Sequence, residues 1–275
     1  MNIILAGHNV DMEAIRAMRE AQPEAGDLTP ETIAAAYARI SRNPMAVNEL
    51  RAAARKDVER ARQSNRAIVY EMGHGSIAEH AVFNIDVLGV SRLLVEEIEK
   101  FRLCSFTEKS QRYVLFENDF VVPEEVRNAG LEERYVSVIR EQNRSYHYLY
   151  ERLKSHAFGG QKGPDSDRVR RSAVEGRAKE DARYVISMAT ETQLGMTINA
   201  RNLELMIRRL AAQPLAEARG YARLLYEATK DVAPSLVRYT EATDYDRMTR
   251  SSLKVAAEAL IAKGRFESDN NGARK

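Results

Sequence analysis

Cationic and hydroxyl side chains crowd together between residues 100 and 113. The four cations, three aliphatic hydroxyls and one carboxylate there are Lys100, Arg102, Lys109, Arg112, Ser105, Thr107, Ser110 and Glu108. A guanidinium offers several N–H donors in a planar fork, hydroxyls add donors, and a carboxylate accepts from a ring N–H or a sugar hydroxyl. Such a set can bind a phosphorylated small molecule. Taken alone, however, the segment is more typical of a solvated helix end and turn.

A second polar group precedes an alternating apolar segment. The stretch GHGSIAEHAVF at 73–83 carries His74, Ser76, Glu79 and His80. Polar side chains therefore gather where a helix or loop enters a predicted strand. Glu79 and His80 also fit a structural capping pair, and on these residues alone that interpretation is favoured over a functional one.

A third group lies late in the chain. Arg183, Asn199, Arg201, Arg208 and Arg209 fall within 27 residues. Surface solvation explains some of these charges. The Asn-Ala-Arg run at 199–201 also stands where a strand gives way to a helix, beside backbone N–H groups that lack helical partners, which is a common place for anions.

The elements that position these groups follow from periodicity and punctuation. We predict a strand at 2–6, a helix started by Thr29 as N-cap and Pro30 as first helical residue, and a long helix at about 46–63. Phe83, Ile85 and Val87 alternate with polar residues, so 81–90 is predicted to be a half-buried strand. Ser91 can cap the next helix, 91–102, whose C-terminal end would carry the cationic cluster.

Beyond residue 110 the predicted elements alternate more loosely. We expect short strands at 112–116 and 120–122, a long helix at 130–156 and a mobile surface loop at 157–172. Helix is predicted again near 177–187, followed by a strand or extended connection at 190–200. Two helices at 201–212 and 214–230 come next, and the polar end at 267–275 is expected to fray.

Composition describes an ordinary globular chain. Its 275 residues are 44% hydrophobic and 30% charged, enough for one large domain, and the 42 basic and 40 acidic side chains leave a net charge of only +2. No global field would recruit nucleic acid or an anionic membrane, so an anion site must be local. We find no secretory signal and no membrane-spanning stretch. Cys104 is alone, which excludes an internal disulfide and a Cys-rich metal site and fits a cytoplasmic protein.

Taken together, the three groups resemble the flavin-dependent thymidylate synthases. The resemblance runs through three segments in order and spacing: GHGSIAEHAVFNIDVLGVSR, then EKFRLCSFTEKSQRY, then DARYVISMATETQLGMTINARNL together with RRLAAQPLAEAR. It covers roughly residues 65–240. Because three ordered and spaced matches make coincidence improbable, we identify the chain as a member of this family.

The resemblance implies a fold, an assembly and a reaction. It implies an α/β (α+β) fold with a mixed or antiparallel sheet flanked by helices, and a homotetramer whose active sites form where subunits meet. The family methylates dUMP to dTMP, with the carbon from methylenetetrahydrofolate, the hydride from reduced FAD and NADPH as reductant. It needs no cysteine nucleophile, so Cys104 is expected to serve packing.

Site residues are carried over position by position. The resemblance implies catalytic roles for His74, Arg183 and Arg209. The implied cofactor-binding residues are Ser76, Glu79, Lys100, Phe101, Arg102, Leu103, Asn199, Arg201 and Gln213. The implied substrate-binding residues are Glu97, Lys100, Glu108, Ser110, Gln111, Arg112, Arg183 and Arg209, and no metal is expected.

Four positions depart from the family pattern. Lys100-Phe101 replaces the opening Arg-His of an Arg-His-Arg signature that Arg102 closes, Glu97 stands for a glutamine, and Gln213 stands for a histidine. Lysine keeps the charge without the bidentate fork, and phenylalanine cannot carry a proton. Glu97 adds a negative charge near the expected anion unless a neighbouring cation neutralises it.

The departures leave three functions open. The chain is a thymidylate synthase with ordinary chemistry, a flavoenzyme acting on another pyrimidine nucleotide such as UMP, or a noncatalytic paralogue that binds flavin or nucleotide. Residues 1–245 are predicted to form a single catalytic domain, and residues 246–275 a C-terminal helix with a frayed polar tail.

Overall fold

A four-stranded antiparallel sheet forms the centre of the molecule. The structure is a computed structural model that describes residues 1–20, 28–117, 119–160 and 168–262. The strands are β1 (Asn2–His8), β2 (Val82–Ser91), β3 (Ser105–Glu108) and β4 (Glu191–Asn199), in the spatial order β1-β2-β4-β3. The expected antiparallel sheet flanked by helices is confirmed.

Eleven α-helices surround the sheet within the described residues. They are α1 (Met12–Arg19), α2 (Glu31–Arg39), α3 (Val47–Lys56), α4 (Val58–Arg66), α5 (Arg92–Ile98), α6 (Glu124–Asn128), α7 (Glu132–Gly160), α8 (Arg168–Ala182), α9 (Ala200–Ala211), α10 (Ala216–Thr229) and α11 (Asp244–Ala262). A π-helical turn at Ala67–Glu71 and 3₁₀ turns at Ile40–Arg42, Gly75–His80 and Arg183–Val185 complete the helical structure. Residues 263–275, including the predicted fraying end, lie outside the described part.

The main core lies on one face of the sheet. Phe83, Ile85 and Val87 of β2 are buried there, while Asn84 and Asp86 between them face outward, as the alternation predicted. The apolar sides of α5, α9 and α10 cover this face. Because side chains alternate along a strand, the outer face of β2 and β4 is left polar. The sheet therefore holds α9 rigidly behind the end of β4.

Two smaller apolar clusters anchor the outlying helices. One joins α2, α3 and α4 around Leu50, and the other joins α7 and α8 around Tyr146 and Phe116. Glu31 of α2 is fully buried and ties its cluster to the rest of the molecule. Its carboxylate accepts from the Arg62 Nε at 2.5 Å and from the Ser235 backbone N–H at 2.7 Å.

One predicted helix start is confirmed, and a second is displaced by one residue. The Ser91 hydroxyl accepts from the Leu94 N–H at 3.1 Å, so it caps α5. The Thr29 hydroxyl accepts from the Glu31 N–H at 3.2 Å, but α2 begins at Glu31 with Pro30 in the N-cap position, one residue later than predicted. The Ser91 cap fixes where β2 ends and α5 begins, which sets the path of the chain toward the cationic cluster.

Other local predictions are wrong, and each has a local cause. The helix expected at 46–63 is divided into α3 and α4, because Asp57 takes an extended φ of −142° and caps α4 by accepting from the Arg60 N–H. The helix expected to reach residue 102 ends at Ile98, so the cationic cluster spans a turn, β3 and a second turn.

The predicted strands at 112–116 and 120–122 are absent from the described residues. Residues 111–114 form a turn, and Phe120 makes only an isolated bridge to Thr190. The expected loop at 157–172 is helical at both ends, since α7 continues to Gly160 and α8 begins at Arg168; its middle, residues 161–167, lies outside the described part. The helix expected at 177–187 accordingly begins earlier and ends at Ala182.

Candidate active site

A first group of predicted site residues lies together at the junction of β4 and α9. Asn199 ends the strand, and its side-chain oxygen accepts from the Asn202 N–H at 2.9 Å, which caps α9. The Ala200 N–H donates to the Ala81 carbonyl at 2.9 Å, so the turn Gly75–His80 lies beside this helix start. The first turn of a helix presents N–H groups and a positive dipole end, which suit an anionic or polar ligand.

The turn at 75–80 is fastened to α9 by an ion pair. The Arg201 guanidinium lies 2.5 Å from the Glu79 carboxylate, although the two residues are 122 positions apart. The same guanidinium passes over Gly75, where an added Cβ would come within 3.5 Å of Arg201 Nε. Ser76 is exposed on this turn, and His74 Nε2 lies 3.5 Å from the Arg42 guanidinium. The structure thus brings together residues that sequence alone could only assign separately.

The loop before β3 reaches the same end of the sheet. Ser105, the first residue of β3, pairs with Thr197, two residues before Asn199. In this loop Arg102 and Leu103 are exposed, whereas Phe101 packs against the main core. Phe101 therefore anchors the loop by packing. This packing role explains why an apolar aromatic side chain, which cannot transfer a proton, stands at this position.

Two of the departures from the family pattern compensate each other. Lys100 Nζ lies 2.6 Å from the Glu97 carboxylate, one helical turn earlier. The negative charge of Glu97 is thus neutralised locally. Lys100 is engaged by this pair, so it offers less to a phosphate than the arginine it replaces.

The second focus lies at the other end of β3 and β4. Glu108 ends β3 opposite Leu194, and its carboxylate accepts from the Arg92 guanidinium and from the Thr192 hydroxyl, the latter at 2.9 Å. These bonds fix the strand end. The carboxylate retains lone pairs for a further donor.

Arg112 and Arg183 share one carboxylate. Glu180 of α8 lies 3.4 Å from the Arg112 guanidinium and 3.9 Å from that of Arg183. The Ser110 hydroxyl accepts from the Arg112 backbone N–H at 3.2 Å, which shapes the turn, and Gln111 is partly buried beside it. Two guanidiniums held this near each other form a ready anion site.

A cleft of about 730 Å³ opens beside this arginine pair. Its walls include Arg112 and Tyr113 from the turn and Gly176, Arg177 and Glu180 from α8. Its size falls within the range of small-molecule sites. A nucleotide-sized ligand can therefore reach the guanidinium of Arg112 from this side.

The remaining predicted residues lie near the end of α9. Arg209 is exposed in the last turn of α9, and Gln213 follows in the connection to α10. That connection sits near the start of β4, because Glu217 of α10 accepts from the Ser91 hydroxyl and Ser91 pairs with Glu191. Gln213 was expected to hold the cofactor with Asn199. Within one chain the structure separates them by most of the length of α9.

The predicted site is thus divided between two ends of β4. From Leu194, opposite Glu108, to Asn199 the strand advances roughly 17 Å at about 3.4 Å a residue. One end holds residues 74–79, 100–103, 199 and 201, and the other holds residues 108–112, 183, 209 and 213. A flavin-nucleotide site that needs both groups in close contact is not closed within one chain.

Cys104 has the properties of a packing residue. It is half-buried against the main core, and burial raises the pKa of its thiol to about 11. A thiol with so high a pKa is a poor nucleophile near neutral pH.

Sequence reasoning missed the partners of these side chains. Arg112 contacts Glu180, Glu108 accepts from Arg92, and His74 lies beside Arg42. The partners lie 68, 16 and 32 positions away in the sequence. Only a contact in space marks them, although Arg92 could have been suspected as the last residue of the first matching segment.

The fold and the two clusters define a class of protein. An antiparallel sheet backed by α9 and α10, with arginines and polar caps at both ends of one strand, is an α/β scaffold suited to an anionic cofactor and a phosphorylated substrate. The chain matches the family described as thymidylate synthase complementing protein over residues 26–235. It belongs to that family.

Named relatives agree with this assignment. The chain is 28% identical over 215 residues to the flavin-dependent thymidylate synthase of Clostridium tetani, covering 77% of this chain and 82% of the relative. It is also 28% identical over 190 residues to the enzyme of the same name from Nitratidesulfovibrio vulgaris, covering 68% and 71%.

Two solved structures share the fold. A flavin-dependent thymidylate synthase from Helicobacter pylori, complexed with FAD and dUMP, aligns with a TM-score of 0.50 at 18% identity, covering 88% of this chain and 100% of that one. A UMP/dUMP methylase from Streptomyces cacaoi, bound with 5-Br dUMP, aligns with a TM-score of 0.58 at 18% identity, covering 86% and 93%. At such identities these likenesses establish the fold alone.

The described residues contain neither a membrane-spanning helix nor a cluster of metal ligands. No helix among them is long and apolar enough to cross a membrane. No group of three or more His, Cys, Asp or Glu side chains in the same residues is arranged to hold a metal ion.

Proposed function

We propose that this chain is an FAD-dependent enzyme that methylates dUMP to dTMP, with methylenetetrahydrofolate as carbon donor and NADPH as reductant. The main support is that three segments far apart in the sequence meet at one end of β4. They are residues 74–80, 100–105 and 199–201. Family membership and the names of the relatives support the same reaction. A cytoplasmic location remains a prediction.

The β4–α9 end has the features that FAD requires. Gly75 leaves room beneath the Arg201 guanidinium, Ser76 offers an exposed hydroxyl, and the start of α9 offers backbone N–H groups. Arg201 is half exposed, so its donors beyond the Glu79 bond can reach a diphosphate. When bound, reduced FAD would supply the hydride that completes the methyl group.

The other end of β4 suits the nucleotide. Arg112 and Arg183 would take phosphate oxygens, with the Ser110 hydroxyl as a further donor. Glu108 would accept from the sugar or the pyrimidine ring through its remaining lone pairs. Arg209 would approach from α9, where it is exposed and therefore able to move.

We infer that a homotetramer completes the active sites between subunits. Cofactor and substrate must touch for hydride transfer, yet the two groups of residues lie roughly 17 Å apart along β4 in one chain. A symmetric assembly can place one end of β4 in a first subunit against the other end in a second. The position of Gln213, remote from Asn199 in its own chain, is accommodated by the same arrangement.

The assay follows dTMP formation by the purified full chain with dUMP, methylenetetrahydrofolate, FAD and NADPH. We expect dTMP, and we expect the Arg112→Ala variant to bind dUMP more weakly by about 1.5–3 kcal/mol, the scale of a charged hydrogen bond. Arg60→Ala, an exposed arginine on α4, is the control for loss of one charge. A protein that binds FAD and yields no dTMP would contradict the proposed reaction.

A second candidate substrate is UMP. Its support is the Glu97–Lys100 pair, which replaces two residues that the family pattern assigns to ligand binding and leaves Lys100 less available to the nucleotide. Running UMP in parallel with dUMP separates the two, because the enzyme with this altered site would methylate UMP at a comparable or higher kcat/KM. A colourless protein that fails to bind added FAD would instead identify a noncatalytic paralogue.

A further inference from the structure

An arginine-rich cleft lies along one side of α9. Its volume is about 880 Å³, and it is enclosed by α9, α10 and the segment 238–247. Five arginines and one glutamate line it, namely Arg208, Arg219, Arg223, Arg238, Arg247 and Glu241. The lining is therefore strongly cationic, in a chain whose overall charge is nearly balanced.

Three of these arginines form no close ion pair with a carboxylate among the described residues. Arg208 pairs with Asp246 at 3.2 Å and Arg247 approaches Asp244 at 3.7 Å. Within the described residues, no carboxylate oxygen lies within 4.0 Å of the guanidiniums of Arg219, Arg223 or Arg238. Glu125 acts on Arg219 electrostatically from outside this distance, and the three guanidiniums are open to an anion from solution.

Two of the three cations are held in position by the fold. The Arg219 guanidinium donates to the carbonyl oxygens of Gln213 at 3.0 Å and Pro214 at 2.5 Å. The Arg238 guanidinium lies over Tyr70, 5.5 Å from the ring centre, and 6.0 Å from the ring centre of Tyr239. Guanidiniums that are already positioned lose less side-chain entropy when an anion binds.

The cleft also offers a surface for a flat ring. Ile207, Ala211 and Ala222 supply small apolar side chains, and Tyr226 and Tyr239 stand at its walls. Tyr239 is 56% exposed, so part of its side chain is accessible to a ligand in the cleft. An apolar floor, aromatic walls and two positioned cations together favour a planar heterocycle that carries more than one phosphate.

This cleft adjoins the residues predicted to bind flavin or the substrate nucleotide, because its Arg219 donates to the Gln213 carbonyl. None of those residues lines it. Arg208 faces the cleft, whereas Arg209 projects about 100° further around α9. The segment 238–247 lies beyond residue 235, where the match to the family ends. Part of the cleft is thus built by a stretch outside the family match.

We propose that this cleft binds a nucleoside triphosphate at a site additional to the catalytic one. Arg219, Arg223 and Arg238 bind the phosphates, and the base stacks against Tyr239 above the small side chains of α9 and α10. Because α9 also carries Asn199 as its cap and Arg209 in its last turn, a ligand bound along this helix is placed to alter the catalytic residues.

The test measures binding of dTTP to the full chain by calorimetry, with saturating dUMP present. We expect one dTTP per chain, and we expect Arg223→Ala to weaken dTTP binding at least about tenfold while dUMP binding stays unchanged. Arg223 is exposed, so its removal should leave the fold intact. Arg223→Lys should recover part of the affinity, and Arg60→Ala should match the wild type.

Other outcomes decide against the proposal. If dUMP displaces dTTP, the triphosphate occupies the substrate site instead. If inorganic tripolyphosphate binds as tightly as dTTP, the base makes no contribution and the stacking argument is wrong. If NADPH competes with dTTP at the cleft and binds more tightly, the site belongs to the reductant. Because none of these titrations needs turnover, a failure here is distinguishable from a failure of the proposed reaction.

Discussion

Removing the charge of Glu180 should tighten nucleotide binding. Glu180 lies between Arg112 and Arg183, the two guanidiniums proposed for the phosphate, at 3.4 and 3.9 Å. A phosphate that binds there must share or displace this carboxylate and meets its negative charge. In Glu180→Gln both arginines are released from the ion pair, and the repulsion is removed.

The size of the effect follows from exposure. The side chains of Arg112 and Glu180 are 52% and 41% exposed, so each pair is a surface pair worth about 0.2–1 kcal/mol. Together they correspond to about 1 kcal/mol, or roughly fivefold in the dUMP dissociation constant. The gain should shrink in high salt, because exposed charges are screened.

Calorimetric titration of dUMP into the FAD-loaded protein, at low and high salt, measures this difference. Glu141→Gln is the matched control, since Glu141 is an exposed partner of Arg144 on α7, outside the predicted site. Weaker dUMP binding by Glu180→Gln would show that Glu180 serves to position the arginines. Unchanged binding at low salt would remove this arginine pair from the phosphate site.

Three further changes test the fold around the site. Glu31→Ala should lower the free energy of unfolding in urea by about 3–5 kcal/mol, because the buried Ser235 N–H loses its acceptor and Arg62 loses a buried partner while keeping the exposed Glu59; a loss below about 1 kcal/mol would contradict that. Asn199→Ala should cost about 1 kcal/mol through the lost cap of α9, and Asn199→Asp should restore it, as thermal unfolding would report. Cys104 has a thiol pKa of about 11, so at pH 8 it should react with a disulfide reagent roughly a hundredfold more slowly in the folded protein than in urea. The rate for the folded protein should rise about tenfold per pH unit toward pH 10, because the thiolate fraction rises by that factor. Fast reaction of the folded protein would show the thiol to be accessible and activated.

Local sequence signals predicted the elements whose pattern is strong. The alternation in β2 and the Ser91 cap of α5 were both readable, because a half-buried strand has a strict period of two and a cap needs only one nearby side chain. The division at Asp57 and the turn at 111–114 were not predicted. Both depend on the backbone conformation of polar residues, and such residues can occupy helix ends and turns as well as helix interiors or strands.

The candidate site shows the same limit at longer range. The types of the site residues and their order were sufficient to identify the family, and family membership is confirmed. The roles assigned to single residues remain predictions. The sequence indicated only that Glu97 would need a neighbouring cation to neutralise it. The structure supplies that cation, because Lys100 Nζ lies 2.6 Å from the Glu97 carboxylate. That Glu180 joins Arg112 to Arg183 could not be anticipated, because the contact spans 68 positions.

Sequence by itself determined the chemical groups available to this protein: the arginines, the caps and the order in which they occur along the chain. Those are covalent facts, and local hydrogen bonding converts some of them directly into helix starts and strands. Only the tertiary structure decided which groups meet. The antiparallel pairing of β3 with β4 sends residues 100–103 to one end of the sheet and residues 108–112 to the other. Because pairing across a sheet is set by burial of one face and by register over long separations, that division could not be obtained from neighbouring residues.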